Sequence, residues 1–161
     1  MNSIGTERKA FMILVNDLCK ALSYTKRDDE PRDDETLVME MTLEGIAFTV
    51  SHSLEHAPEK VLIQASFGPV PKSQSTDVLY RLMHLNRELS EAGTASLGFD
   101  ASYGAVVYCH AARLSELTGG NLLTTMTEIT WRAEYWQSTY FLQTESPTGA
   151  SSFDERLISL A

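Results

Sequence analysis

Apolar residues return at helical spacing near the start of the chain, where Phe11 is followed by Leu14, Val15, Leu18, Cys19 and Leu22. Thr6 with Glu7 supplies a start signal, a capping hydroxyl followed by an acid in the first turn. With Met12 and Ala21 added, the apolar residues fill about half the helical circumference. A helix resting on one sheet needs less. A charged stretch at 26–35 follows, interrupted by Pro31, and reads as a solvated linker. Its carboxylates lack the alternation, central glycine and distal glutamate of a calcium loop.

Leu37, Met39, Met41 and Leu43 then alternate with Val38, Glu40 and Thr42, the period of a half-buried strand. Glu44-Gly45 makes a tight turn and Ile46, Phe48 and Val50 resume the alternation, which predicts a hairpin. Past a loop with His52, His56 and Pro58, a third strand carries Val61, Ile63, Ala65 and Phe67 on one face. It breaks at Gly68-Pro69-Val70-Pro71. A second helix follows, with Ser73 or Ser75 as its cap, Asp77 near its positive end and Gly93 as its stop. Val78, Leu79, Leu82, Met83, Leu85 and Leu89 cover more than about 120° of it, so one side can meet a sheet and the other needs a second surface.

Leu97 and Phe99 mark a fourth strand, Asp100 to Gly104 a turn, and Ala105 to Ala112 a fifth strand that is apolar on both faces. After Gly119-Gly120, Asn121 is placed to cap a third helix. There Leu122, Met126, Ile129, Ala133, Trp136 and Tyr140 form a narrow stripe at intervals of four and three. The predicted order is α-β-β-β-α-β-β-α, an α+β fold with a mostly antiparallel five-stranded sheet and three helices. Residues 1–143 read as one domain. Residues 144–161 read as a flexible tail ending in an apolar cluster, Phe153, Leu157, Ile158 and Leu160.

Composition narrows the function. The chain has 161 residues, 43% of them hydrophobic, and its 13 basic and 22 acidic residues leave a net charge of −9. A chain of this length can bury about 69% of its extended surface, enough for a core without staples. The acidity argues against nucleic-acid partners and against anionic membranes, and favours a positively charged or apolar partner. Cys19 and Cys109 lie in apolar patterns and read as reduced, buried thiols. No membrane span is expected, and Phe11 to Val15 is too short for a signal-peptide core, so the protein reads as cytoplasmic.

Catalytic chemistry is not in view. Gly68 to Ser73 lacks a second glycine, and its prolines remove N–H groups that a phosphate would need. His52 and His56 lack further metal ligands beside them and read as an exposed turn pair. Cys109 and His110 are strand neighbours that point to opposite faces, and His84 lies on the polar side of its helix. No catalytic, cofactor or metal site is expected, and the chain reads as non-enzymatic. The surplus apolar surface reads instead as an interface and a groove for a partner.

Several stretches carry a resemblance: Phe11-Met-Ile-Leu-Val-Asn-Asp-Leu18, Leu79-Tyr-Arg-Leu-Met-His-Leu-Asn-Arg-Glu-Leu89, Ser96-Leu-Gly-Phe-Asp100, Val106-Val-Tyr108, and a last helix reaching Trp136. With the element order, size and acidity, the chain resembles the class I chaperones of bacterial type III secretion, the Tir chaperone family, over about residues 6 to 142. The linker at 26–35 is long for that family, and the tail extends past its usual end. The resemblance implies a homodimer in the bacterial cytoplasm. It would hold the N-terminal segment of a secreted effector in extended form, soluble and ready for export, with the secretion ATPase as a further partner. Effector-binding residues are then expected at Leu14, Leu18, Leu22, Met39, Met41, Phe48 and Val50, where thioethers adapt to varied side chains. The dimer contact is expected on Val78, Leu82, Leu85 and Leu89, taken as the outer side of the second helix, with Leu97 and Phe99. The tail cluster is a candidate occupant of the empty groove. The alternative is a peptide-binding or regulatory module of similar fold without a secretion role.

Overall fold

A computed structural model describes residues 3–24, 36–93 and 95–142 of the chain. Among them run α1 (Ser3–Ala21), β1 (Leu37–Leu43), β2 (Ile46–His52), β3 (Lys60–Pro69), α2 (Ser75–Ala92), β4 (Ala95–Asp100), β5 (Ala105–Arg113) and α3 (Gly119–Thr139). The strands make one sheet in the order β1-β2-β3-β5-β4, with β1–β2 and β4–β5 antiparallel. The α+β fold and its element order are those the sequence predicts. The acidic linker and the tail cluster lie outside the described residues.

Several helix ends differ from expectation. The first helix begins at Ser3 rather than at Thr6. Neither Ser73 nor Ser75 caps α2, because a short 3₁₀ turn, Lys72–Gln74, leads into it and Gln74 makes no side-chain capping bond. Asn121 is the third residue of α3, and Thr118 is the cap. The Thr118 N–H donates to Asn121 Oδ1 at 2.7 Å, and the Asn121 N–H donates to Thr118 Oγ1 at 3.2 Å. Tyr140 falls just beyond the helix.

The chain divides into two compact units. The first comprises Met1–Ile63 and Ala111–Glu128. Glu44 and Gly45, with φ of 49° and 83°, make the two-residue turn that matches strand twist, and they fix the β1–β2 register. In that register Leu37, Met39, Met41 and Leu43 stand opposite His52, Val50, Phe48 and Ile46. Helix α1 covers this face, burying Phe11, Leu14, Val15 and Leu18. Phe11 stacks on the His52 ring at 5.2 Å between centroids. His52 is therefore not an exposed turn residue. It is 1% exposed, and its Nε2 bonds the Pro58 carbonyl oxygen at 2.8 Å. The strand's alternation continues two residues past Val50, to His52, and carries the imidazole inward.

Gly119 opens α3 against the backbone of α1. A Cβ there would lie 2.8 Å from the Asp17 carbonyl carbon and 2.8 Å from the Leu18 nitrogen. Backbone atoms cannot swing aside as a side chain can. Gly119→Ala is expected to cost about 1–3 kcal/mol, as overpacking typically does. Urea denaturation would show this as a lower midpoint with an unchanged slope, and an unchanged midpoint would contradict the close approach.

The second unit comprises Gln64–His110 and Ile129–Ala161. Its core is aromatic. Phe67 stacks on Tyr108 at 5.5 Å, and Trp136 meets Phe141 edge-on at 5.4 Å. Arg132 is buried, hydrogen-bonded to the Tyr108 hydroxyl, with its guanidinium 5.3 Å from the centre of that ring. The His110 pKa is held below the ordinary histidine value, first by burial and then by the Arg132 charge. Asn86 on α2 accepts the Leu97 N–H at 2.8 Å and so ties helix to strand β4. Gly93, at φ 84°, ends α2 with its N–H on the Leu89 carbonyl, as predicted.

Candidate functional site

In the first unit, β1 stands at one end of the sheet order, with no described strand beyond it. The pair flanking a two-residue turn exchanges both of its hydrogen bonds, and such pairs alternate along an antiparallel ladder. Leu43↔Ile46, Met41↔Phe48, Met39↔Val50 and Leu37↔His52 are therefore the bonded pairs. The N–H and C=O groups of Val38, Glu40 and Thr42 point the other way, along the open edge. Such a row is a template for another strand.

Side chains give that edge an apolar margin. Met39 and Met41 belong to the face covered by α1 but remain half-buried at its rim, and Leu22 is half-buried just past the helix. The other residues expected to bind an effector, Leu14, Leu18, Phe48 and Val50, are at most 4% exposed and form the unit's own core. The expected set thus falls into a reachable rim and a buried floor. Val38 and Ile13 are exposed in the same unit, at 55% and 52%, and were not singled out by periodicity. Each interrupts the pattern of its own element, so the sequence carried no signal for them.

The second unit presents another apolar surface. Val78, Leu82, Leu85 and Leu89 are not on the outer side of α2, as expected, but face inward and are buried. Their spacing of four, three and four makes the tighter stripe and takes the packing position. The outward residues are Leu79, Tyr80 and Met83, the last two each 72% exposed. Of the two β4 residues named with them, Phe99 is 56% exposed and Leu97 is half-buried. Tyr103, in the β4–β5 turn, is exposed as well.

Both cysteines are free thiols, Cys19 buried and Cys109 half-buried. Among the described residues, no three His, Cys, Asp or Glu side chains are grouped to hold a metal. No described helix is long and apolar enough to cross a membrane.

A family model for the Tir chaperone protein (CesT) family matches residues 45–137, more than half of the chain. Among solved structures, the fold is similar to one in the ExsC–ExsE complex, with a TM-score of 0.62 and 16% identity, covering 91% of this chain and 100% of the other. It is also similar to one in the HopA1–SchA chaperone–effector complex, with a TM-score of 0.58 and 19% identity over 80% and 94% of the two chains. A third likeness is to the Yersinia pestis type III secretion chaperone SycH in complex with a fragment of YscM2, with a TM-score of 0.57 and 12% identity over 78% and 98%. At such identities these structures show a shared fold. No curated protein matches by sequence.

Proposed function

The chain belongs to the Tir chaperone protein (CesT) family, and from that premise we propose that it is a type III secretion chaperone acting on the N-terminal segment of an effector. The observation that carries this reading is the open edge of β1, with Met39 and Met41 half-buried along its rim. An extended segment can add to that edge, taking affinity from main-chain hydrogen bonds and selectivity from the side-chain rim. A segment held as a strand is neither folded nor free to aggregate, the state a narrow export channel requires. Similarity in fold to a structure described as a chaperone–effector complex, and to one described as a type III secretion chaperone with a fragment of YscM2, supports the same reading. On this view the protein works in the bacterial cytoplasm by binding rather than catalysis, and the secretion ATPase is the partner that receives the loaded complex.

The exposed surface on α2 and β4 is the proposed homodimer contact, now placed on Leu79, Tyr80, Met83, Leu97 and Phe99. Met83→Glu with Phe99→Asp would bury unpaired carboxylates in that contact. A folded monomer by light scattering is the expected result, and an intact dimer would refute the placement.

The function itself is tested by affinity purification of the tagged protein from its own bacterium under secretion-inducing conditions. A secreted protein recovered through its N-terminal region supports the chaperone reading. Recovery of cytosolic assembly partners alone would move the assignment to a regulatory module.

A further inference from the structure

Just beyond α3, Tyr140 and Phe141 hold consecutive left-handed backbone conformations, with φ of 51° and 56°. Residues that carry a Cβ adopt these only at a cost. The Leu142 N–H donates to the Thr139 carbonyl at 3.0 Å and closes a turn of the mirror-image type, which reverses the chain. Two contacts hold the strain in place. Phe141 is 1% exposed, and Arg81 Nε donates to its carbonyl oxygen at 3.1 Å. A turn of this kind reverses chain direction at the end of α3.

An aromatic track runs back along α3. The Phe141 ring lies 5.7 Å from that of Tyr135, and Trp131 is the next residue up that face of α3, four positions earlier. Trp131 is 63% exposed, so the track starts in the core and ends in an uncovered indole. The hydroxyls at the near end, Ser138 and Thr139, both donate to the Tyr135 carbonyl, at 3.0 and 2.7 Å. Beside Trp131, Glu134 is exposed while Arg132 turns inward, which leaves a carboxylate next to the indole.

The sequence past the turn has what this face lacks. Phe153, Leu157 and Leu160 recur at intervals of four and three, and Ser152 with Glu155 has the spacing of a capping box. Arg156 is the one basic residue after Arg132. The ten residues between Leu142 and Phe153 can span about 33 Å. The distance back along the helix to Trp131 is only about 16 Å.

We propose that Phe153, Leu157 and Leu160 pack over Trp131 on α3 of the same chain, with Arg156 facing Glu134. The occupant of this face is the protein's own tail, led onto it by the strained turn. This inference does not depend on the chaperone reading.

The test uses the full chain. Trp136 is buried, so subtracting the emission of Trp131→Phe isolates the Trp131 signal. Trp131 should be poorly quenched by acrylamide. Phe153→Ser with Leu157→Ser and Leu160→Ser should raise its quenching constant and shift its emission to the red, with far-ultraviolet circular dichroism showing a folded core. Arg156→Glu should produce part of that change, and Glu134→Arg should reverse it in the double variant. Equal quenching in the parent and the triple variant would overturn the proposal. So would shielding that falls on dilution, which would assign the cover to a second copy.

Discussion

Proline at position 40 is expected to weaken effector binding by about tenfold or more while leaving the fold intact, the loss of one main-chain bond being worth about 1 kcal/mol. The ring adds to that loss, because it occupies the space an incoming carbonyl would take. Glu40 faces Thr49 in a pair whose hydrogen-bonding groups point away from each other, so its N–H gives nothing to β2. An edge strand tolerates proline at such a position. Met41 is the internal control. Its N–H is spent on Phe48 across the hairpin, so Met41→Pro should destabilise the β1–β2 pair itself. Titration calorimetry with the N-terminal segment of the co-purified effector separates the two variants. Unchanged affinity for Glu40→Pro would remove β1 as the strand-addition edge.

Trp136→Ala is expected to cost about 3–5 kcal/mol, the usual range for deleting a buried indole. The side chain has no exposed surface and touches both Phe141 and Tyr140 edge-on, at 5.4 Å each. Small domains hold only about 5–15 kcal/mol in total. The variant should therefore lose most of its cooperative unfolding transition in urea. Trp131, which lies outside that cluster, gives a contrast, since Trp131→Ala should leave the midpoint nearly where it was if the fold rests on the buried aromatic core. A near-native midpoint for Trp136→Ala would mean that the aromatic core can collapse around the gap.

Much of this fold was legible in the sequence because its elements obey simple periods. The hairpin at Glu44-Gly45 and the stop at Gly93 are local events, each marked by a glycine that tolerates positive φ. The orientation of α2 was not legible. Its apolar arc is too wide for periodicity to choose a side, and packing against the rest of the unit decided between Leu82 and Met83. His52 is ambiguous in the sequence for a related reason: only tertiary contact with Phe11 distinguishes a buried imidazole from one in an exposed turn. Among the candidate effector residues, periodicity could not separate the buried floor, Leu14, Leu18, Phe48 and Val50, from the half-buried rim, Leu22, Met39 and Met41. That separation depends on where α1 lies over the sheet.

An open strand edge invites copies of itself as readily as it invites a guest. If two β1 edges met antiparallel about their centres, Glu40 would face Glu40, and Glu40 is the only charged residue in Leu37–Leu43. Two carboxylates directly opposite repel, whereas a guest strand with a neutral or basic residue there meets no such penalty. One acidic side chain on the solvent face can thus discourage the empty protein from polymerising through its own edge. Glu40→Val should keep the guest site yet make concentrated, unloaded protein prone to form aggregates.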